Sequence, residues 1–217
     1  MAAGTDPSKA PRRPWRGVGA DERQSRRREQ LIDAAFAVLG AEGAAAVTMR
    51  GVCREAKLTE RYFYENFASR ADLLVAVLEA TTASARDTLI ASLDEGPSEF
   101  HALIRHAVRA FTGFVTADPR RGRVLFVESM AAPELTTRAI ELVDEFTVTI
   151  AGALRGSRPG GDDLDVELNS QAVFGALAFL YQVWLERRVA LPVDRFVEHV
   201  SQVIEHLGQA SSAPAGG

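Results

Sequence analysis

Within Glu60 to Asn66 stand one arginine, two tyrosines, two glutamates and an asparagine around a single phenylalanine. Side chains of these types, crowded on so short a stretch, can read a surface by hydrogen bonds and contact. Arg61 can donate two parallel hydrogen bonds to the edge of a guanine, and Glu60 can accept from a cytosine amine. The hydroxyls of Tyr62 and Tyr64 can donate to phosphate oxygens while their rings touch thymine methyls. Competing readings stay open for two of them: Arg61 as a phosphate clamp or a solvated cation, and Glu60 as a favourable charge at a helix N-terminus.

Bond-making chemistry finds no support. His101 and His106 are five residues apart, about 140° around a helix, and not the i, i+4 pair that grips a metal. His199 and His206 share a face but lie about 10 Å apart by helical rise. Cys53 is the lone cysteine, which excludes a disulfide framework, and it reads as inert core. No glycine loop suited to phosphate and no nucleophile elbow is found. The chain is read as having no catalytic residue, no metal and no cofactor.

The elements that must position the polar cluster are helices throughout. Leu31, Ala35 and Val38 recur at i, i+4 and i+7, giving a long first helix ended by Gly43. Thr48 and Thr59 stand as N-caps of two short helices, each preceded by an apolar residue (Val47, Leu58) that can staple to one five residues on (Val52, Phe63). Ser69 opens a long helix to about Leu93. Further helices begin after Pro97, at Asp118-Pro119, near Glu134, near Asp165 and at Val193. No run of alternating β-branched residues marks a strand. The fold class is all-α, with about nine helices.

Two short capped helices joined by a tight turn make a helix-turn-helix whose second member can enter a major groove. A two-turn helix has little stability alone, so the long helices on either side must clamp it. Phe63 and Phe67, at i and i+4, are the inward pair. That leaves Glu60, Arg61, Tyr62, Tyr64 and Asn66 at or near the outer surface.

The 217 residues carry a net charge of −4, but unevenly. Residues 1–70 hold 13 basic against 9 acidic side chains, and the remainder is acidic. That asymmetry fits a basic module for a polyanion joined to an acidic body, although chance scatter would also produce it. No apolar run reaches the roughly 18 residues of a membrane helix, and the N-terminus lacks the apolar core of a secretory signal. A cytoplasmic protein without membrane partners is expected.

The segments "LIDAAFAVLGAEG", "VTMRGVCREA" and "LTERYFYENFASRADLL" together resemble the DNA-binding domain of the TetR family of bacterial transcriptional regulators. The resemblance covers roughly residues 25–85. It implies base contacts from Glu60, Arg61, Tyr62 and Tyr64, and phosphate contacts from Thr48, Thr59, Tyr64, Asn66, Ser69 and Arg70. Asn66 replaces a commoner histidine, and Arg70 a commoner lysine. Lys57 stands where glycine is frequent; a left-handed conformation there would cost about 1 kcal/mol. Arg26, Arg27 and Arg28 offer a further phosphate contact, and Arg12, Arg13 and Arg16 a minor-groove arm.

The expected organisation is a disordered basic arm (1–22), the helix-turn-helix domain (23–85, motif 48–67), an effector-binding and dimerisation domain (86–207) and a disordered tail (208–217). The resemblance further implies a homodimer on a palindromic double-stranded operator, repressing until a small apolar or amphipathic effector binds. Gly175 and Ala178 on a small-residue face, with Phe196, Val200, Val203 and Leu207 on an apolar stripe, are the dimer candidates. His101, Arg105, Phe126, Glu128, Met130, Tyr181 and Trp184 are the effector candidates, although most of the aromatics taken singly read better as ordinary core. The alternative function is a helical small-molecule-binding protein or enzyme with a vestigial DNA-binding head.

Overall fold

The computed structural model describes residues 18–157 and 162–208, and every regular element among them is helical. Nine helices follow in order: α1 (Val18–Glu42), α2 (Met49–Glu55), α3 (Glu60–Asn66), α4 (Arg70–Glu95), α5 (Phe100–Ala117), α6 (119–131), α7 (Pro133–Ser157), α8 (Asp163–Leu185) and α9 (Val193–Gly208). A single 3-10 turn, Ala44–Ala46, links α1 to α2. Helix α1 starts five residues before the expected boundary at 23, and the arm arginines Arg12, Arg13 and Arg16 lie outside the described residues.

Local chemistry accounts for several starts. The Thr48 hydroxyl accepts from the Gly51 N–H at 3.1 Å, and the Ser69 hydroxyl from Asp72 N–H at 3.1 Å. Asp118 accepts from Arg120 N–H with Pro119 at the first helical position. Helix α5 is capped by Glu99, whose carboxylate accepts from His101 and Ala102; these two backbone hydrogen bonds hold its pKa below the usual glutamate value. Thr59 departs from expectation. Its side chain makes no capping bond, and only its carbonyl joins the helix, accepting from Tyr62 N–H at 3.0 Å.

Two large apolar cores, with a small third cluster of Ala151, Leu154 and Val166, organise the described residues. The first gathers Leu31 and Leu39 of α1, Val52 of α2, Phe63 of α3 and Leu74 of α4. It does not stop at the head: Val124 of α6 and Leu135 of α7 belong to the same cluster. Helix α4 runs unbroken through residue 85 and packs on α1, α5 and α7. The second core joins α5, α8 and α9 around Tyr181, which lies parallel to Phe126 at 5.3 Å and edge-on to Phe196 at 5.0 Å.

Helix α6 is not uniform. Val124–Glu128 is π-helical between α-helical turns at Pro119–Arg123 and Ser129–Ala131. Single π turns inside helices recur at functional sites, because the inserted residue redirects side chains. This one carries Phe126 toward a cavity on one side and Glu128 toward the end of α1 on the other.

Candidate nucleic-acid interface and body cavity

Phe63 fixes the orientation of α3. It is 1% exposed, packs edge-on to Tyr64 and tilts against Phe67 at 5.9 Å. With Phe63 and Phe67 buried, helical geometry turns the intervening residues outward. The Arg61 side chain is 84% exposed and Tyr64 is 61% exposed.

Arg61 Nε donates to Glu65 Oε1 at 2.9 Å, and Arg50 Nε to Glu60 Oε1 at 3.2 Å. Exposed pairs of this kind contribute about 0–1 kcal/mol. Either arginine can therefore leave its carboxylate for a stronger acceptor at little cost. Tyr62 is half-buried beneath the Arg27 guanidinium, 4.6 Å above its ring. Thr48 and Ser69 are exposed; each hydroxyl accepts from its own helix and keeps a proton to donate.

Two expected phosphate donors are otherwise engaged. Arg70 Nε donates to Val47 O at 2.6 Å, Nη1 to Glu134 Oε1 at 2.6 Å, and Nη2 to the carbonyl of Ala44. All three nitrogens are committed inside the protein, where they tie the start of α4 to the α1–α2 link and to α7. Asn66 Nδ2 donates to Tyr62 O at 2.7 Å, which turns the amide back onto α3. The cations left exposed on the head and without an ion pair among the described residues include Arg26, Arg54 and Lys57. Arg54 and Lys57 carried no expectation of DNA contact, because the helical pattern alone does not separate a solvated cation from a docking one.

Lys57 has φ of 55°, the left-handed conformation that makes its occupancy by a non-glycine residue unfavourable. Its backbone N–H still closes the turn onto Arg54 O at 3.2 Å. Lys57→Gly should raise stability by about 1 kcal/mol, read as an increase in thermal midpoint; an unchanged or lower midpoint would show that the turn carries no strain. Cys53 is buried, and burial pushes its thiol pKa up, so it stays protonated and unreactive.

In the body, a cavity of about 430 Å³ lies among α4 to α9. Of the seven effector candidates, Phe126, Met130 and Tyr181 line it. The other four effector candidates do not. His101 pairs with Glu205 and Arg105 with Glu198, both bridging α5 to α9. Trp184 stacks on Phe196 at 4.1 Å and donates to Leu191 O. Glu128 turns away from the cavity: its carboxylate accepts from Ala44 N–H at 2.9 Å and from Arg123 Nε at 3.0 Å, while Arg123 Nη1 donates to Ala41 O.

The dimer candidates also separate. Phe196 and Val200 are 2% and 0% exposed, consumed by packing against α5 and α8, and so cannot meet a partner. Val203 and Leu207 are half-buried. Gly175 is exposed, and a Cβ placed on it would meet open space; Ala178 is half-buried beside it. They share a face of α8 with Leu164, Leu168 and Phe179, all more than half exposed.

Comparison with known proteins converges on the same residues. Residues 31–77 match the family model described as bacterial regulatory proteins, tetR family. A stretch of 87 residues is 36% identical to the HTH-type transcriptional regulator BetI of Rhizobium meliloti, spanning 39% of this chain and 43% of that protein. The match thus covers less than half the length of that relative. Among solved structures, the fatty acid degradation regulator FadR of Bacillus halodurans superposes with a TM-score of 0.71 at 20% identity, covering 84% of this chain and 95% of the other. FadR of Bacillus subtilis, in complex with stearoyl-CoA, does so with a TM-score of 0.69 at 17% identity, over 81% and 96%. These two likenesses extend the shared fold over the helical body. The helix-turn-helix built by α2 and α3 lies within the residues that match the tetR family of bacterial regulatory proteins.

Proposed function

We propose that the protein is a sequence-specific DNA-binding regulator of transcription, acting as a dimer whose two α3 helices enter successive major grooves of a palindromic operator. The observation that carries this reading is the outward presentation of Arg61 and Tyr64 on a helix locked from behind by Phe63. Arg61 exchanges Glu65 for a guanine edge; Tyr64, Thr48 and Ser69 donate to phosphates and set the register. Arg26, Arg54 and Lys57 supply the sequence-independent attraction.

Dimerisation uses the face of α8 bearing Leu164, Leu168, Gly175 and Phe179. An isologous contact sets a patch against its own copy, so a face free of ionisable groups avoids repulsion. The output is repression. A small molecule in the body cavity bears on Phe126 and Met130 of α6. The same helix holds the end of α1 through Glu128 and Arg123, so a shift of α6 turns the heads and breaks their spacing.

Selection of bound genomic fragments, followed by titration of the recovered inverted repeat, tests the reading. Arg61→Ala should weaken the selected site by about 1–3 kcal/mol and relax preference at one base pair in each half. Unchanged affinity and unchanged preference would remove α3 from the groove. A genome without any selected site, together with turnover of a small molecule, would favour the vestigial-head alternative.

A further inference from the structure

Taking the cavity as the effector site proposed above, we infer that its ligand is uncharged: an apolar body carrying a hydrogen-bond donor such as a hydroxyl. Among the described residues no Asp, Glu, Lys, Arg or His lines the cavity. A cation would find no carboxylate there and an anion no counter-charge, and burying an unpaired ion is prohibitively costly.

The polar atoms on the wall sharpen this. Ser129 Oγ donates to Leu125 O at 2.6 Å, and Thr149 Oγ1 to Glu145 O at 3.4 Å. Thr112 Oγ1 gives its own proton to Val108 O at 2.7 Å, so the Tyr181 hydroxyl, 2.6 Å away, is the donor in that pair. Burial raises the Tyr181 pKa, which keeps the phenol neutral. Each of these protons is already engaged, so these hydroxyls offer a ligand lone pairs, while the Thr82 hydroxyl and the Gln182 amide on the same wall are neutral donors. A carboxylate meets neutral groups alone, with no cation among the described lining residues to balance its charge. A ligand hydroxyl meets what it needs.

The walls that remain are hydrocarbon from Leu125, Phe126, Val143, Phe146 and Phe174, and at about 430 Å³ the space is within the range of small-molecule sites. Met130 and Ile140 line the cavity and are also exposed, so its lip is apolar there as well.

Three probes of one chain length separate the possibilities: 1-dodecanol, dodecanoate and dodecyltrimethylammonium, titrated into the full-length protein. The readout is the fluorescence of Trp184, which packs against the cavity residue Tyr181 with ring centroids 6.4 Å apart. Dodecanol should bind at least tenfold more tightly than either ion. Gln182→Glu, nearly isosteric on the cavity wall, should then favour the ammonium probe at least tenfold over the unaltered protein. Equal binding of dodecanol and dodecanoate, or of dodecanol and the ammonium probe, overturns the uncharged-ligand inference while leaving the effector site standing. Failure of all three to bind overturns both.

Discussion

Phe63→Ala should lower the unfolding free energy by about 3–5 kcal/mol and abolish operator binding. The side chain is 1% exposed and sits between Tyr64 and Phe67, at the point where α3 meets the core shared with Val52, Leu31 and Leu74. Helix α3 spans only Glu60–Asn66, too short to persist on its own, so removing the ring removes most of what holds it. Chemical denaturation gives the first quantity and anisotropy with labelled operator the second. A cost below about 1 kcal/mol with binding intact would mean that α3 is ordered by something other than this ring.

Operator affinity should fall about a thousandfold between roughly 50 and 200 mM monovalent salt, despite a net charge of −4. Arg26, Arg54 and Lys57 provide three exposed cations per head, and a dimer doubles them. Each phosphate neutralised releases condensed counterions, and six such contacts give a steep logarithmic dependence. The acidic body contributes little opposition, since exposed charges beyond about 10 Å are screened at these ionic strengths. A titration at four salt concentrations yields the slope. A slope near zero would sink the phosphate-contacting role of this face. Arg70→Ala, by contrast, should leave the slope unchanged, because that guanidinium faces Val47, Ala44 and Glu134.

The helices were legible because their signals are local. Periodicity at i, i+4 and i+7, the Thr48 hydroxyl and the Asp118-Pro119 start all act within one turn. The outward side of α3 was legible for the same reason, since Phe63 and Phe67 mark its inner side four residues apart. What escaped depends on partners far along the chain. Arg70 meets Glu134 across 64 residues, and Glu128 meets Ala44 across 84, and neither sequence window contains the other. Helix α9 shows the ambiguity of an apolar stripe: Phe196 and Val200 mark a buried side, but nothing in their spacing says whether α5 and α8 or a second molecule covers it. His101 and Arg105 lost their cavity roles through acids on α9.

The bonds that cross from the body to the α1–α2 link have a practical consequence for anyone building hybrid regulators. A transplant of residues 18–69 onto a foreign body would arrive without Glu128 for the Ala44 amide, without Arg123 for the Ala41 carbonyl, and without Arg70 for the carbonyls of Val47 and Ala44. Under the coupling proposed above, the graft would keep α3 and its outward residues while losing the bonds that tie the head to the cavity. The smallest transplantable unit is therefore discontinuous: the head, the first turn of α4, and the stretch 123–134 must travel together.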